Sequence, residues 1–448
     1  MIAVSCGPHN GFAATAPSAN VIGPVRVQTA MSALVAVLLA LMAAVPAAAI
    51  VVGALHAPVE LATLFFGIAV VAASFAMAWG AEAAEHDIPR ALTLTVVALI
   101  AVLPEYAVDI VFAFKAGQNP SFAQYAAANM TGSNRLLLGL GWPMVSILAW
   151  LTRGSRSLRL TREAILPLFF LAIATVYSFI LPLKANIGLL DTLVLFALFT
   201  VYAVLAAREQ AEEPDLVGPA AAIGSLPTGQ RRMAVAGLFV FAGLTIGASA
   251  APFADGLVHT GQNLGIDEFL LVQWLAPIAS EAPEFLVAAL LAVRAKPGAA
   301  LGLLLSAKLN QWTLLVGSLP LAFAVGSLTV QSTATTLTIS LPLDARQVGE
   351  VWLTAAQSLF GLAVLASLSF ELGEALLLAF LFLAQLIIGS MLRTALHNTP
   401  GANEELIVFS LAYVALSVVF VVRARKVIGS LWRHSALLRD RVQGTTKL

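Results

Sequence analysis

The chain has 448 residues, of which 60% are hydrophobic and only 11% are charged, and its mean hydropathy is +0.92. An ordinary soluble domain carries about 25% charged residues, so this composition indicates a membrane protein. The formal net charge is zero, and the basic residues gather in particular loops rather than on one surface, which argues against nucleic acid as a partner. The single cysteine, Cys6, excludes an intramolecular disulfide framework and a thiolate metal cluster.

Apolar runs of about 20 residues are long enough to span a bilayer as helices. The sequence predicts an all-α integral membrane protein with about 12 transmembrane helices. The predicted spans are 29–53, 60–82, 91–114, 124–150, 163–182, 187–207, 234–256, 266–293, 299–326, 349–369, 373–393 and 404–423.

The N-terminal run has two interpretations. The first 28 residues form a polar tail, and 29–53 reads as an extra N-terminal helix. The alternative is a cleaved signal peptide, with Arg26 before the apolar run and a small-residue site at 45–49. The run is long for a signal peptide, and its loss would spoil the pattern of charges in the loops.

Arginine and lysine mark the side of the membrane on which each loop lies, because cytoplasmic loops are richer in both. With the N-terminus inside, the loops after the fourth, sixth and eighth spans and the tail after 423 are all basic and cytoplasmic, whereas the outer loops carry single charges. We therefore predict a multi-pass protein of the plasma (cell inner) membrane with both termini in the cytoplasm. The basic residues of these inner segments are Arg153, Arg156, Arg159, Arg162, Arg208, Arg231, Arg232, Arg294, Lys296, Arg423, Arg425, Lys426, Arg433, Arg439, Arg441 and Lys447.

Two predicted spans each carry a Pro-Glu pair, Pro104-Glu105 and Pro283-Glu284. A carboxylate inside a span costs roughly 2.5 to 3.5 kcal/mol on insertion scales, so a retained one implies a partner or an ion. Each proline removes an amide donor from its helix and is expected to kink or break it, which frees a carbonyl oxygen near the acid. The pairs therefore predict one ion site that is built from two related halves.

The pairs belong to two similar halves. Each Pro-Glu helix is followed by a helix with amides near its middle, in 129–143 and 306–320. Each half has five core spans, an odd number, so the second copy must be inverted relative to the first. The predicted organisation is 1–28 polar N-terminal tail, 29–53 extra N-terminal helix, 60–207 first inverted repeat, 208–233 flexible cytoplasmic linker, 234–393 second inverted repeat, 404–423 extra C-terminal helix and 424–448 basic cytoplasmic tail.

The acidic side chains have polar neighbours on their own helices. Asp109 follows Glu105 by four residues, and Glu281 precedes Glu284 by three, so each pair shares a helix face. Ser280 lies about one turn before Glu284. Carboxylates, freed carbonyls and side-chain amides together make a site for a hard cation.

The Pro-Glu helix followed by Gly132-Ser133-Asn134, with a second copy downstream, resembles the sodium/calcium exchanger superfamily of cation/calcium antiporters. The resemblance implies a ten-helix core of two inverted five-helix repeats. It also implies that the motif glutamates hold the metal ion, which makes Glu105 and Glu284 the metal ligands here, with amides beside them. The candidate cation-binding residues are Glu105, Asn134, Glu284, Gln311, Asn310, Asp109, Ser280 and Glu281.

The sequence departs from the family pattern in both halves. Ala101-Val102 replaces the Thr-Ser of the first motif, so hydroxyl groups that resemble sodium ligands are absent there. Lys308 lies near the level of the site, where it can act as a tethered cation and charge partner to a buried glutamate. The lysine lowers the net negative charge available to a divalent ion, which weakens the case for calcium and favours sodium or protons.

The leading hypothesis is a secondary active antiporter that exchanges Ca²⁺ or Na⁺ against Na⁺ or H⁺ by alternating access. It would be a transporter and not an enzyme, because no zinc-ligand spacing or ATP-binding motif is present. Its partners would be inorganic cations and the lipid bilayer, with no cofactor besides the transported ions. Nothing in the sequence indicates an oligomeric state. The alternatives are a cation channel and a transport-dead intramembrane scaffold or sensor.

Overall fold

A computed structural model describes residues 24–85, 87, 103–208, 216–330 and 340–444, with side chains described between residues 31 and 425. Helices dominate these ranges. In chain order they are α1 (Pro24–Ala43), α2 (Val45–Val51), α3 (Val59–Ala84), α4 (Leu103–Gln118), α5 (Ala123–Leu136), α6 (Trp142–Arg153), α7 (Ile165–Ser178), α8 (Ile180–Lys184), α9 (Leu189–Ala206), α10 (Gly218–Gly224), α11 (Thr228–Leu264), α12 (Glu268–Val293), α13 (Pro297–Asn310), α14 (Val316–Val330), α15 (Ala345–Leu365), α16 (Leu372–Ser390) and α17 (Thr399–Gly444).

The all-α membrane fold is confirmed. In the described ranges, eleven helical stretches are long and apolar enough to cross a membrane. The twelfth predicted span, 91–114, is described only from Leu103 onward as α4, and residues 91–102 lie outside the described part of the chain. The eleven stretches and the described part of this span match the twelve predicted runs in order.

Two short antiparallel ribbons show that the repeats are inverted. Strand β1 (Ser157–Arg159) pairs with β4 (Ser369–Glu371), and β2 (Asn186–Gly188) pairs with β3 (Ser340–Pro342). β1 and β3 occupy equivalent places, each between the third and fourth core spans of its repeat. The span formed by α7 and α8 separates β1 from β2, so the ribbons lie at opposite ends of a helix. Equivalent strands at opposite ends mean that one repeat is upside down.

The third core helix of each repeat contains a π-helical turn at a similar place. In the first repeat it covers Leu137–Gly141 between α5 and α6, and in the second it covers Gln311–Leu315 between α13 and α14. Single π-helical turns occur often at functional sites because they disturb the regular hydrogen-bond ladder. The first turn begins three residues after Asn134, and the second begins at Gln311 itself.

Helices of the two repeats pack closely against each other. α3 lies along α11, α4 crosses α14, and α12 crosses α5. A Cβ atom on Gly132 of α5 would lie 1.8 Å from the carbonyl oxygen of Gln273 in α12, so only glycine permits this approach. The crossings bring α4, α5, α12 and α13 together at the centre of the molecule.

The structure differs from the sequence predictions in the linker. The described part of the predicted flexible linker contains helix α10, because the apolar side chains of Ala220 and Ile223 pack against α1 and α3. Helix α12 continues through Pro283 without interruption, so this proline does not end the helix. The neighbouring turns and the packing around α12 hold the helix together although Pro283 supplies no amide donor to Ala279.

Candidate functional site

Four carboxyl groups gather where α4 and α12 cross. Glu105 and Asp109 of α4 are 4% and 0% exposed, Glu281 of α12 is 2% exposed, and Glu284 is half-buried. Glu105, Glu281 and Glu284 lie near enough to repel one another, and Asp109 is repelled by Glu105. The structure therefore brings together all four acids that the sequence singled out.

These acids have few protein partners. Buried oxygens without a hydrogen-bond partner in the described chain occur on all four side chains, and both oxygens of Asp109 are among them. Burying an unpaired carboxylate is unfavourable by several kcal/mol. The arrangement is therefore stable only when cations, protons or water occupy the space between the carboxyl groups.

Polar side chains of the two third helices complete the cluster. Gln311 Nε2 donates a hydrogen bond of 3.0 Å to Glu281 Oε1, while Gln311 Oε1 is buried without a described partner. Ser133 lies beside the carboxyl groups of both Glu105 and Glu281. Ser133 was not among the predicted ligands, although its place in the Gly-Ser-Asn motif was a signal. Carboxylate, amide and hydroxyl oxygens thus surround one region.

Asn134 and Lys308 form a separate contact next to the acids. Lys308 Nζ donates to the main-chain oxygen of Asn134 at 2.6 Å and to its side-chain Oδ1 at 3.0 Å. Asn134 Nδ2 donates to the carbonyl of Met130 at 3.0 Å. Lys308 is 1% exposed, and Glu281 is the acid that interacts with its ammonium group. The ammonium group of Lys308, in the second repeat, therefore binds the oxygens of Asn134, in the first repeat.

The remaining predicted residues lie at the edge of the cluster. Asn310 Oδ1 accepts a hydrogen bond of 3.0 Å from the Tyr106 hydroxyl, and its Nδ2 has no partner among the described residues. The Ser280 hydroxyl donates back into its own helix, to the carbonyls of Ala276 and Pro277 at 3.2 and 3.3 Å. Pro104 lies in the first turn of α4, and its helical acceptor would be outside the described chain. Asn310 thus borders the site, whereas the Ser280 hydroxyl donates its proton to its own helix and not to the site.

A second buried polar cluster surrounds Arg135, and its contacts were not predicted from the sequence. Arg135 forms an ion pair with Glu350 of α15 and hydrogen-bonds Gln385 of α16. Gln273 Nε2 donates to Glu350 at 3.0 Å, and the Arg135 guanidinium lies 5.1 Å from the ring centre of Trp274. These are long-range contacts, and no motif links Arg135 to α15 or α16. The cluster fixes the helix that carries Asn134 against the rest of the core.

The donor set determines which ions fit. In the part of the chain that the structure describes, no three His, Cys, Asp or Glu side chains converge closely enough to hold a metal ion by themselves. A cation at the centre would therefore need oxygens from Gln311, Ser133 or main-chain carbonyls in addition to carboxylates. Such mixed oxygen ligation is typical of Ca²⁺ and other hard cations.

Comparison with protein-family models identifies the family of this chain. The family model described as sodium/calcium exchanger protein matches residues 59–208 and 234–391. The chain belongs to this family. The two matched segments correspond to two sets of five core helices, which fits a transmembrane cation exchanger with inverted repeats. Helix α17 lies outside the matched residues.

Solved structures agree with this membership. The crystal structure of the H⁺/Ca²⁺ exchanger CAX is 41% identical, covers 92% of this chain and 99% of its own, and superposes with a TM-score of 0.81. The structure of native YfkE is 13% identical, covers 81% of this chain and 98% of its own, and has a TM-score of 0.55, which shows a shared fold. No curated protein sequence matches the chain.

Proposed function

We propose that this protein is a secondary active antiporter that moves Ca²⁺ across the plasma (cell inner) membrane in exchange for H⁺, with both termini in the cytoplasm. One observation carries the proposal: four carboxyl groups, three buried and one half-buried, lie between inverted repeats and carry oxygens without a partner in the described chain. The likeness to the H⁺/Ca²⁺ exchanger CAX supports protons as the counter-ion. The absence of the Thr-Ser hydroxyls at Ala101-Val102 supports the same choice over sodium.

The mechanism follows from the cost of burying charge. Glu105, Glu281 and Glu284 replace the water around Ca²⁺, helped by the Gln311 amide oxygen. After Ca²⁺ leaves on the other side, the carboxylates take up protons, because several bare charges cannot pass through a closed state at low cost. Exchange is therefore enforced, since the site returns only when it is neutralised. Protons that move down their gradient drive Ca²⁺ against its own gradient, and no ATP is needed.

The test is transport by purified protein in liposomes loaded at acidic pH. We expect an outward proton gradient to drive Ca²⁺ uptake. At equal pH on both sides, an outward sodium gradient should drive none. Glu284→Gln should abolish uptake, whereas Glu163→Gln, which changes an exposed glutamate, should leave it intact. Uptake driven only by sodium would overturn the choice of counter-ion, and full uptake by Glu284→Gln would overturn the site.

A second function, a transport-dead sensor, is favoured by one contact. Lys308 occupies the oxygens of Asn134, which the family resemblance assigns to the transported ion. A protein of this kind would bind Ca²⁺ in detergent without moving it in liposomes under either gradient. Binding without flux in the wild type would select the sensor over the antiporter.

A further inference from the structure

Lys308 reaches across the repeat boundary to a position where a small cation would fit. Its ammonium group lies on two oxygens of Asn134, at 2.6 and 3.0 Å. The ring centre of Trp312 is 5.5 Å from Nζ, which adds a cation–π contact. Glu281 supplies the opposite charge on the side of the acid cluster. Oxygen ligands beside a carboxylate are also surroundings that can hold a small monovalent cation.

The two repeats differ at equivalent places because of this contact. In the second repeat, Gln311 bonds Glu281 and keeps a free, buried amide oxygen. In the first repeat, Asn134 Oδ1 is filled by Lys308, and Asn134 Nδ2 is bonded to its own helix. The amide oxygen of Asn134 already accepts a hydrogen bond from an ammonium group, whereas that of Gln311 has no partner in the described part of the chain.

We propose that the Lys308 ammonium is a resident cation that fills a monovalent-cation site formed by the oxygens of Asn134 beside Glu281. The role of this site in transport rests on the proposed antiport. Whether the site binds a cation does not, because binding is measured without transport. In this view the wild type moves its ion through the acid cluster alone. Removal of the lysine side chain opens the site to Na⁺ from solution.

Three substitutions of Lys308 separate the effect of its charge from the effect of the space that its side chain fills. Lys308→Ala removes the charge and leaves room for a hydrated Na⁺. Lys308→Met removes the charge but fills the same room with an apolar chain. Lys308→Arg keeps the charge. Binding of radioactive ²²Na⁺ to purified, monodisperse protein measures occupancy without any need for transport.

We expect Lys308→Ala to bind one more Na⁺ per chain than the wild type, and Lys308→Met and Lys308→Arg to bind no more than the wild type. Adding Asn134→Ala to Lys308→Ala should remove the gained site. No gain in Lys308→Ala, or an equal gain in Lys308→Met, would overturn the proposal. If Lys308→Ala does not fold, Lys308→Ser is used, and failure of both would assign the lysine to structure and overturn it.

Transport provides a second readout. Proton-driven Ca²⁺ uptake by Lys308→Ala should be lost in choline medium and restored when Na⁺ or methylammonium is added to both sides. Full uptake in choline, or loss that neither cation restores, would overturn the role of a resident cation. Failure of the wild type to take up Ca²⁺ would instead reject the proposed antiport, and the ²²Na⁺ result would still stand.

Discussion

The acid cluster and the Arg135 cluster are both buried and both polar, yet they are built in opposite ways. Arg135, Glu350, Gln385 and Gln273 bond one another, so the charge of the arginine meets a carboxylate and its donors meet acceptors. Around Glu105 and its neighbouring acids, oxygens stay without partners in the described chain. A satisfied network holds helices in place, whereas an unsatisfied one needs something from outside the protein. Changes to the first cluster should therefore alter stability, and changes to the second should alter ion binding.

The largest effect on stability is expected for Arg135→Met. The change leaves the 2% exposed Glu350 without its counter-charge, and breaking a buried pair in this way costs about 3 to 5 kcal/mol. Denaturation in detergent should show this drop in the free energy of unfolding. The double variant Arg135→Met, Glu350→Gln should be more stable than Arg135→Met alone. Equal stability of wild type and single variant would contradict a structural role.

A smaller loss of stability is expected for Gly132→Ala, which tests the crossing that brings the clusters together. The new Cβ would clash with the Gln273 carbonyl 1.8 Å away, so the helices must separate at a cost of about 1 to 3 kcal/mol. Gly243→Ala in α11 is the matched control, because no atom lies within 4 Å of its added Cβ. Thermal unfolding in detergent compares the two, and an equal midpoint would argue against a tight crossing.

Glu281→Gln should have little effect on stability and a clear effect on binding. The amide has the shape of the acid and removes a buried charge, so the free energy of unfolding should change by less than about 1 kcal/mol. The Ca²⁺ dissociation constant, measured by titration calorimetry, should rise at least about tenfold, which corresponds to 1.4 kcal/mol. A strongly destabilised variant with unchanged Ca²⁺ affinity would reverse the contrast between the two clusters.

The smallest effect is expected at the exposed end of the bundle. The Arg231 guanidinium lowers the pKa of Asp87 to about 2, so this attachment contributes above the usual aspartate pKa and is lost as the pH falls toward 2. Asp87→Asn should increase hydrogen exchange near the start of α11 at pH 7. Arg231→Gln should do the same, and Arg232→Gln less, because Arg232 is 65% exposed. Equal exchange in all four proteins at pH 7 would refute the attachment.

Much of the fold could be predicted from the sequence, because bilayer thickness imposes a length on every apolar run. The inverted repeats could be predicted as well, since each repeat has five core spans, an odd number, so equivalent spans cross the membrane in opposite directions. The gathering of Glu105, Glu281 and Glu284 follows from those two facts. Each of these inferences uses spacing along the chain, which the sequence states directly.

What could not be predicted depends on contacts between distant segments. The partner of Arg135 is Glu350, 215 residues further along the chain, and nothing near either residue indicates the other. Lys308 had an acid as its expected partner, yet its two hydrogen bonds go to Asn134, because α13 meets α5 at that level.

The two β-ribbons limit which parts of the protein can move. Each ribbon joins a loop of one repeat to a loop of the other, one at each end of the span formed by α7 and α8. The two ribbons thus join the loops of helices α6 to α9 to the loops of helices α14 to α16, at both ends of the span. Helices α3 and α11 take no part in either ribbon and lie along each other. Because neither ribbon holds α3 and α11, we expect this pair to move more freely than the helices that the ribbons join.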